Sequence, residues 1–215
     1  GGGTAIIGAP FNDGGNGPNR GHERIYTWNS SNLAWEQQGA DIDGEAAIDE
    51  FGWSVALSAD GGTAIIGAPG NDGVNGTDSG HARIYTWDGA GWVQQGADID
   101  GEAAGDEFGY SVALSADGGT AIIGAHSNGG NGNYSGHARI FTWTGAGWVQ
   151  HGEDIDGEAE WDDSGVSVAL SSDGRTAIIG APYNSDVGGY GAGGYSSAHA
   201  RIYTRTGTGR VQLGE

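Results

Sequence analysis

Along the whole chain, apolar residues come in runs of four to seven, each cut off by Gly, Asn or Asp. Thr63-Ala64-Ile65-Ile66-Gly67-Ala68 is one such run, and Ala82-Arg83-Ile84-Tyr85-Thr86-Trp87 is another. The runs are rich in β-branched and aromatic residues, and no segment carries a helical period, so they predict strands joined by turns. The glycines punctuate the runs at fixed offsets, as turn residues do, and do not follow the every-third-position rule of collagen.

The runs recur. Thr-Ala-Ile-Ile-Gly-Ala begins at Thr4, Thr63, Thr120 and Thr176, giving spacings of 59, 57 and 56 residues. A second signature starts at His22, His81, His137 and His199, and a third at Trp35, Trp92, Trp148 and Arg210. A fourth, Ser-Val-Ala-Leu-Ser, occurs only three times, from Ser54, Ser111 and Ser167. Units fall at about 1–50, 51–107, 108–163 and 164–215 within one tandem-repeat domain. Four strands in a unit of this length predict an all-β fold, a β-propeller of four-stranded antiparallel blades. β-Solenoid coils are shorter. Small residues in Ser-Val-Ala-Leu-Ser and Ile-Ile-Gly-Ala suit strands that crowd toward a central axis.

The repeat is out of phase with the chain. It opens at the equivalent of Asp60 and stops at the equivalent of Glu153, so a segment like Asp41 to Ala59 is lacking. Fifteen strands are therefore expected, with the first blade short of one member and an open edge to be covered by further blades or a neighbouring chain. On this reading the chain is a piece of a longer polypeptide.

Charge narrows the partners. There are 28 acidic residues against 8 basic ones, all Arg, for a net charge of −20. That charge repels phosphate backbones and anionic lipid, which argues against nucleic acid. No apolar run is long enough to insert in a membrane. Without Cys there are no disulfides or thiolate metal sites.

Phe51-Gly52 leading to Gly67-Ala68-Pro69, and Phe108-Gly109 leading to Gly124-Ala125, resemble the FG-GAP repeat, the propeller blade of integrin α-subunit heads and of many secreted microbial and algal proteins. Ser164-Gly165 precedes Gly180-Ala181-Pro182 in the last copy, and Gly8-Ala9-Pro10 stands in the first. The resemblance implies an extracellular propeller used in adhesion, recognition or scaffolding. The family's Asp-x-Asp-x-Asp-Gly calcium loop has no counterpart in the short connection Ser58-Ala59-Asp60-Gly61-Gly62.

Another acidic loop is the candidate cation site. Asp-Ile-Asp-Gly-Glu-Ala, followed by one more acid, gives three sets: Asp41, Asp43, Glu45, Asp49; Asp98, Asp100, Glu102, Asp106; and Asp154, Asp156, Glu158, Asp162. Oxygen ligands at i, i+2, i+4 and i+8 match the first part of an EF-hand-type loop for Ca2+. The alternative is that these acids cap turns. The loop after Gly-Ala-Pro varies most between copies and lengthens in the fourth to Asn184 through Ser197. Tyr183, Tyr190 and Tyr195 there are candidate glycan-stacking residues. Sequons at Asn29, Asn75 and Asn133 are candidate N-glycosylation sites in a secretory context.

His22, His81, His137 and His199 occupy one slot in successive units, which spreads them among the blades rather than gathering them on one ion. Arg24, Arg83, Arg139 and Arg201, amid so many carboxylates, read as structural ion pairs. The repeated Trp residues read as interblade packing. No nucleophile elbow, zinc-protease motif or phosphate loop is present. The sequence thus points to a non-catalytic, extracellular adhesion, recognition or assembly module that binds a protein, a glycan or neighbouring copies. A calcium-dependent carbohydrate-binding module and an accessory domain of a secreted hydrolase are the alternatives.

Overall fold

The computed structural model describes residues 3–13, 17–184, 198–207 and 209–213. Each repeat folds where its apolar runs predict, into one antiparallel sheet. The first holds β1 (Thr4–Ala9), β2 (His22–Asn29), β3 (Ala34–Gln37) and the two-residue β4 (Ile42–Asp43). The second is β5 (Ser54–Leu57), β6 (Thr63–Ala68), β7 (His81–Trp87), β8 (Trp92–Gln94) and β9 (Ile99–Asp100). The third is β10 (Ser111–Leu114), β11 (Thr120–Ala125), β12 (His137–Trp143), β13 (Trp148–Gln150) and β14 (Ile155–Asp156). The fourth is β15 (Ser167–Leu170), β16 (Thr176–Ala181), β17 (His199–Thr206) and β18 (Gly209–Gln212). Among the described residues, removing β4, β9 and β14, short pairings made by Asp-Ile-Asp, leaves the fifteen strands expected. Among the described residues the first blade has no Ser-Val-Ala-Leu-Ser strand, and the four sheets do not close into a ring.

Register is the same in every blade: Ile66 lies opposite Arg83, Ile123 opposite Arg139 and Ile179 opposite Arg201. Alternation then sends successive residues of Thr-Ala-Ile-Ile-Gly-Ala to opposite faces. Ile66 packs with Ile25 and Phe51 against the first blade, and Ile65 packs with Phe108 and Ile123 against the third. Ile122, Ile140 and Ile179 form the next seam. The core is therefore three interblade layers, and each fully buried Ile contributes about 1.5–3 kcal/mol. The end blades show the same faces uncovered: Ile7 is 58% exposed where Ile66 is 0%, and Ile178 is 39% exposed where Ile65 and Ile122 are 0%.

The strands β1, β5, β10 and β15 lie side by side from blade to blade. Their closeness explains the two motif glycines. A Cβ on Gly67 would stand 2.0 Å from the carbonyl oxygen of Gly109, and one on Gly124 would stand 2.1 Å from that of Gly165. The glycine of each Phe-Gly and the glycine of the preceding blade's Gly-Ala-Pro thus touch backbone to backbone. The Phe stays just behind: Phe51 and Phe108 are fully buried, bridged to Gly21 and Gly80 of the preceding blade. The short connection between β5 and β6 is a tight turn, in which Asp60 accepts from the Ser58 hydroxyl (2.6 Å) and the Gly62 amide (2.9 Å).

Candidate functional site

The acidic loops lie at the seams, and each slot has its own task. Asp41 accepts from Arg24 of its own blade at 2.9 and 2.8 Å and from Gln37 at 2.7 Å. These hydrogen bonds hold its carboxyl down at about 2. Asp98 takes Arg83 at 2.9 and 2.8 Å in the same way. Asp43 pairs with Arg20 at 2.6 Å. The Glu of each loop reaches forward: Glu45 to Arg83, Glu102 to Arg139 and Glu158 to Arg201, always in the next blade. The last acid caps its own turn, Asp49 on the Ala46 amide, Asp106 on Ala103 and Asp162 on Ala159. Burial raises the Asp49 carboxyl despite those donors.

The four acids of one loop are therefore divided among separate partners. Among the described residues, the carboxylates that gather do so across blades, as Glu45–His81–Asp98 and Glu102–His137–Asp154. Asp100 and Asp156 flank these groups, and burial with the neighbouring Asp raises both. The histidines stay in separate blades, as the repeat requires, but each of these two meets a Glu from the preceding unit. Sequence spacing could not show that, because the partners are brought together only by sheet packing. His81 and His137 are buried and their pKa values are lowered to about 4, first by desolvation and then by the adjacent Arg. The imidazoles are neutral.

The Arg and Trp expectations are met. Arg24, Arg83, Arg139 and Arg201 each salt-bridge an acid of their own blade or of the preceding one. The Trp pairs meet at a tilt across strands within a blade, Trp87 against Trp92 at 5.6 Å and Trp143 against Trp148 at 5.5 Å. Trp92 and Trp148 then donate from Nε1 to Gln38 and Gln95 of the preceding unit, both at 2.9 Å.

A groove missed by the sequence reading lies where the chain enters the inner strands. It has a volume of about 300 Å³ and is lined by Ile48, Glu50, Trp53, Asp78, Glu107 and Tyr110, with Pro69 and Gly70 beside them. Trp53 and Tyr110 directly follow the Phe-Gly pairs, and their rings are 5.4 Å apart. The row continues to Phe11 (6.0 Å from Trp53) and His126 (4.0 Å from Tyr110). Burial lifts the carboxyls of Glu50 and Glu107, with Asp78 adding to both. Glu50 (φ 55°), Glu107 (φ 54°) and Ile48 (φ 71°) sit in the left-handed region, an uncommon place for Glu and a strained one for a β-branched residue. Strain and shifted acids together mark a functional-site candidate. The signal available in sequence was the aromatic after Phe-Gly in two copies.

Tyr183 is partly exposed and follows Pro182 as Phe11 follows Pro10, so the repeat places it at the same rim position. Tyr190 and Tyr195 lie outside the described residues. Asn75 and Asn133 are exposed, Asn75 donating to the Gly101 carbonyl and Asn133 to Glu160; Asn29 is half-buried and donates to Glu36.

Stacked antiparallel four-stranded blades with Phe-Gly and Gly-Ala-Pro at their inner crossings define a β-propeller module. The FG-GAP repeat family model matches residues 40–85 and 98–141 of the chain. No curated protein matches the chain. Among solved structures, one from Bacteroides uniformis assigned as a 6-phosphogluconolactonase is similar at TM-score 0.56 and 12% identity, over 89% of this chain and 46% of that one. The periplasmic gluconolactonase PpgL of Pseudomonas aeruginosa gives 0.47 at 12% identity, covering 98% and 67%. The β-propeller domain of the Trilobed protease from Pyrococcus furiosus gives 0.46 at 9% identity, covering 91% and 49%. The chain spans about half the length of the first of these, and the likeness is one of fold. Among the described residues no helix is long and apolar enough to cross a membrane.

Proposed function

We propose that this propeller module is a non-catalytic recognition module that works outside the cell and binds glycans at the groove beside the inner strands. One observation carries the reading: Trp53 and Tyr110 stand together over a cavity edged by Glu50, Asp78 and Glu107. Aromatic faces stack on the apolar side of a sugar ring, and carboxylates accept hydrogen bonds from its hydroxyls. A few convergent polar groups in a concave, part-aromatic cavity is the usual form of a small-ligand site. The FG-GAP repeats support an extracellular recognition role, and the acidic surface favours neutral or cationic ligands over anionic ones. Binding at this groove does not require calcium, because its acids and rings make the contacts themselves.

A glycan array probed with the protein, with and without EDTA, tests the proposal. The expected result is selective binding that survives EDTA and is lost in Trp53→Ala and Tyr110→Ala, while the far-ultraviolet circular dichroism is unchanged. An array without binders, or variants that bind like the parent protein, would remove the reading.

A further inference from the structure

The seam between the second and third blades differs from the one before it. At the earlier seam, Arg83 donates to both Glu45 and Asp98, so its guanidinium fills the space among Glu45, His81 and Asp98. At the later seam Arg139 turns away. Its Nη2 donates to the backbone carbonyl of Asp100 (2.7 Å), and its guanidinium carbon lies 4.1 Å from the Phe108 ring centroid. Only a long 3.4 Å contact ties it to Glu102. Asp154 receives a hydrogen bond from Gln150 on one oxygen, and its other oxygen lies 3.9 Å from His137 Nδ1.

His137 is the second, separate observation. Its side chain is 1% exposed, and its Nδ1 faces Asp154 and, at 4.0 Å, Asp156. Both of these Nδ1 distances are longer than a hydrogen bond, and Nε2 is buried without a partner. A buried imidazole normally satisfies at least one nitrogen.

We infer that Glu102, His137 and Asp154 form a site for a divalent transition-metal cation of the zinc class, which clamps the second blade to the third. The three donor atoms lie within 4.8 Å of one another. Two ligands of a tetrahedral ion with bonds of about 2.0–2.2 Å lie roughly 3.3–3.6 Å apart, so donors 3.9 Å apart need to close by only about 0.5 Å. A neutral imidazole selects zinc, cobalt or nickel over calcium, which takes oxygen ligands alone. Glu102 comes from the unit before the seam, and His137 and Asp154 from the unit after it. Bound metal would therefore hold the two sheets together.

Visible absorption during Co2+ titration of the EDTA-treated protein tests this, followed by Zn2+ and Ca2+ competition. The expected result is one Co2+ per chain, displaced by Zn2+ and not by Ca2+. Affinity should fall by more than about tenfold in His137→Gln and stay unchanged in His81→Gln, because Arg83 already holds the carboxylates beside His81 even though both ring nitrogens of His81 lack partners. Should His137→Gln not fold, Asp154→Asn serves in its place, with circular dichroism as the folding check. The inference is overturned by no Co2+ spectrum at millimolar metal, by equal displacement with Ca2+, or by loss of affinity in His81→Gln as large as in His137→Gln or Asp154→Asn.

Discussion

The glycine contact at the inner crossings gives a comparison within one chain. In Gly67→Ala the new methyl would lie 2.0 Å from Gly109 O and 2.5 Å from Ser54 Oγ. Ordinary contact begins about 1.4 Å further out, so the two strands must part. Gly109 cannot yield freely, because its amide is bonded to Gly124 O at 3.1 Å and its carbonyl accepts from Ser54 Oγ at 2.7 Å. Overpacking of about 1–3 kcal/mol and loss of a hydrogen bond of about 1 kcal/mol predict a cost near 3 kcal/mol. For a chain of this size that is a fall of roughly 6–12 °C in melting temperature. Gly180 occupies the same motif slot in the fourth blade, but its methyl would meet only the rotatable Ser167 Oγ at 2.4 Å, with backbone no nearer than 3.7 Å. Gly180→Ala should cost less than about 1 kcal/mol. Thermal melts followed by tryptophan fluorescence decide it. Equal shifts in the two variants, or none in Gly67→Ala, would refute the backbone contact as the reason for the motif.

Glu23 is fully buried and without a hydrogen-bond partner, in the slot that Ala82, Ala138 and Ala200 fill elsewhere, and burial raises its pKa well above 4.5. A raised carboxyl destabilises the folded state as pH climbs past its unfolded value. Glu23→Gln should therefore stabilise the protein by about 1–3 kcal/mol at neutral pH, with the gain vanishing below the ordinary carboxyl pKa; a gain independent of pH in urea melts would contradict this. Trp92→Phe removes the bond to Gln38 O and should cost about 1–2 kcal/mol. Trp35→Phe, at the half-exposed first-blade position, should cost within about 0.5 kcal/mol, and the same melts compare them. Gly105 (φ 79°) and Gly91 both have open space where a Cβ would go. Gly105→Ala should cost about 1 kcal/mol for its left-handed backbone alone and Gly91→Ala nothing, as denaturant midpoints would show.

Blade count, strand positions and the short first blade were legible because Thr-Ala-Ile-Ile-Gly-Ala and its companions are local strings whose alternation fixes both faces. The seam chemistry was not. Glu45 and Arg83 are 38 residues apart and meet only once two blades pack, and the same carboxylates read in sequence as one calcium loop. The divergence of Asp41, Glu45 and Asp49 follows from alternation and turn capping, which spacing alone does not reveal. The groove was hidden for a related reason. Trp53 and Tyr110 are single residues beside a structural motif, whereas the long fourth-copy loop drew attention to Tyr183, Tyr190 and Tyr195. Glu23, by contrast, is the one acid in a column otherwise filled by Ala82, Ala138 and Ala200, a local signal that the sequence analysis did not use.

The central claim, recognition at the groove of Trp53 and Tyr110, is tested most directly by amide chemical-shift mapping with an oligosaccharide selected on the array. The account predicts that perturbed amides cluster at residues 48–53, 69–70 and 107–110. Shifts centred on the loop after Tyr183, or spread evenly over the acidic seams, would contradict it.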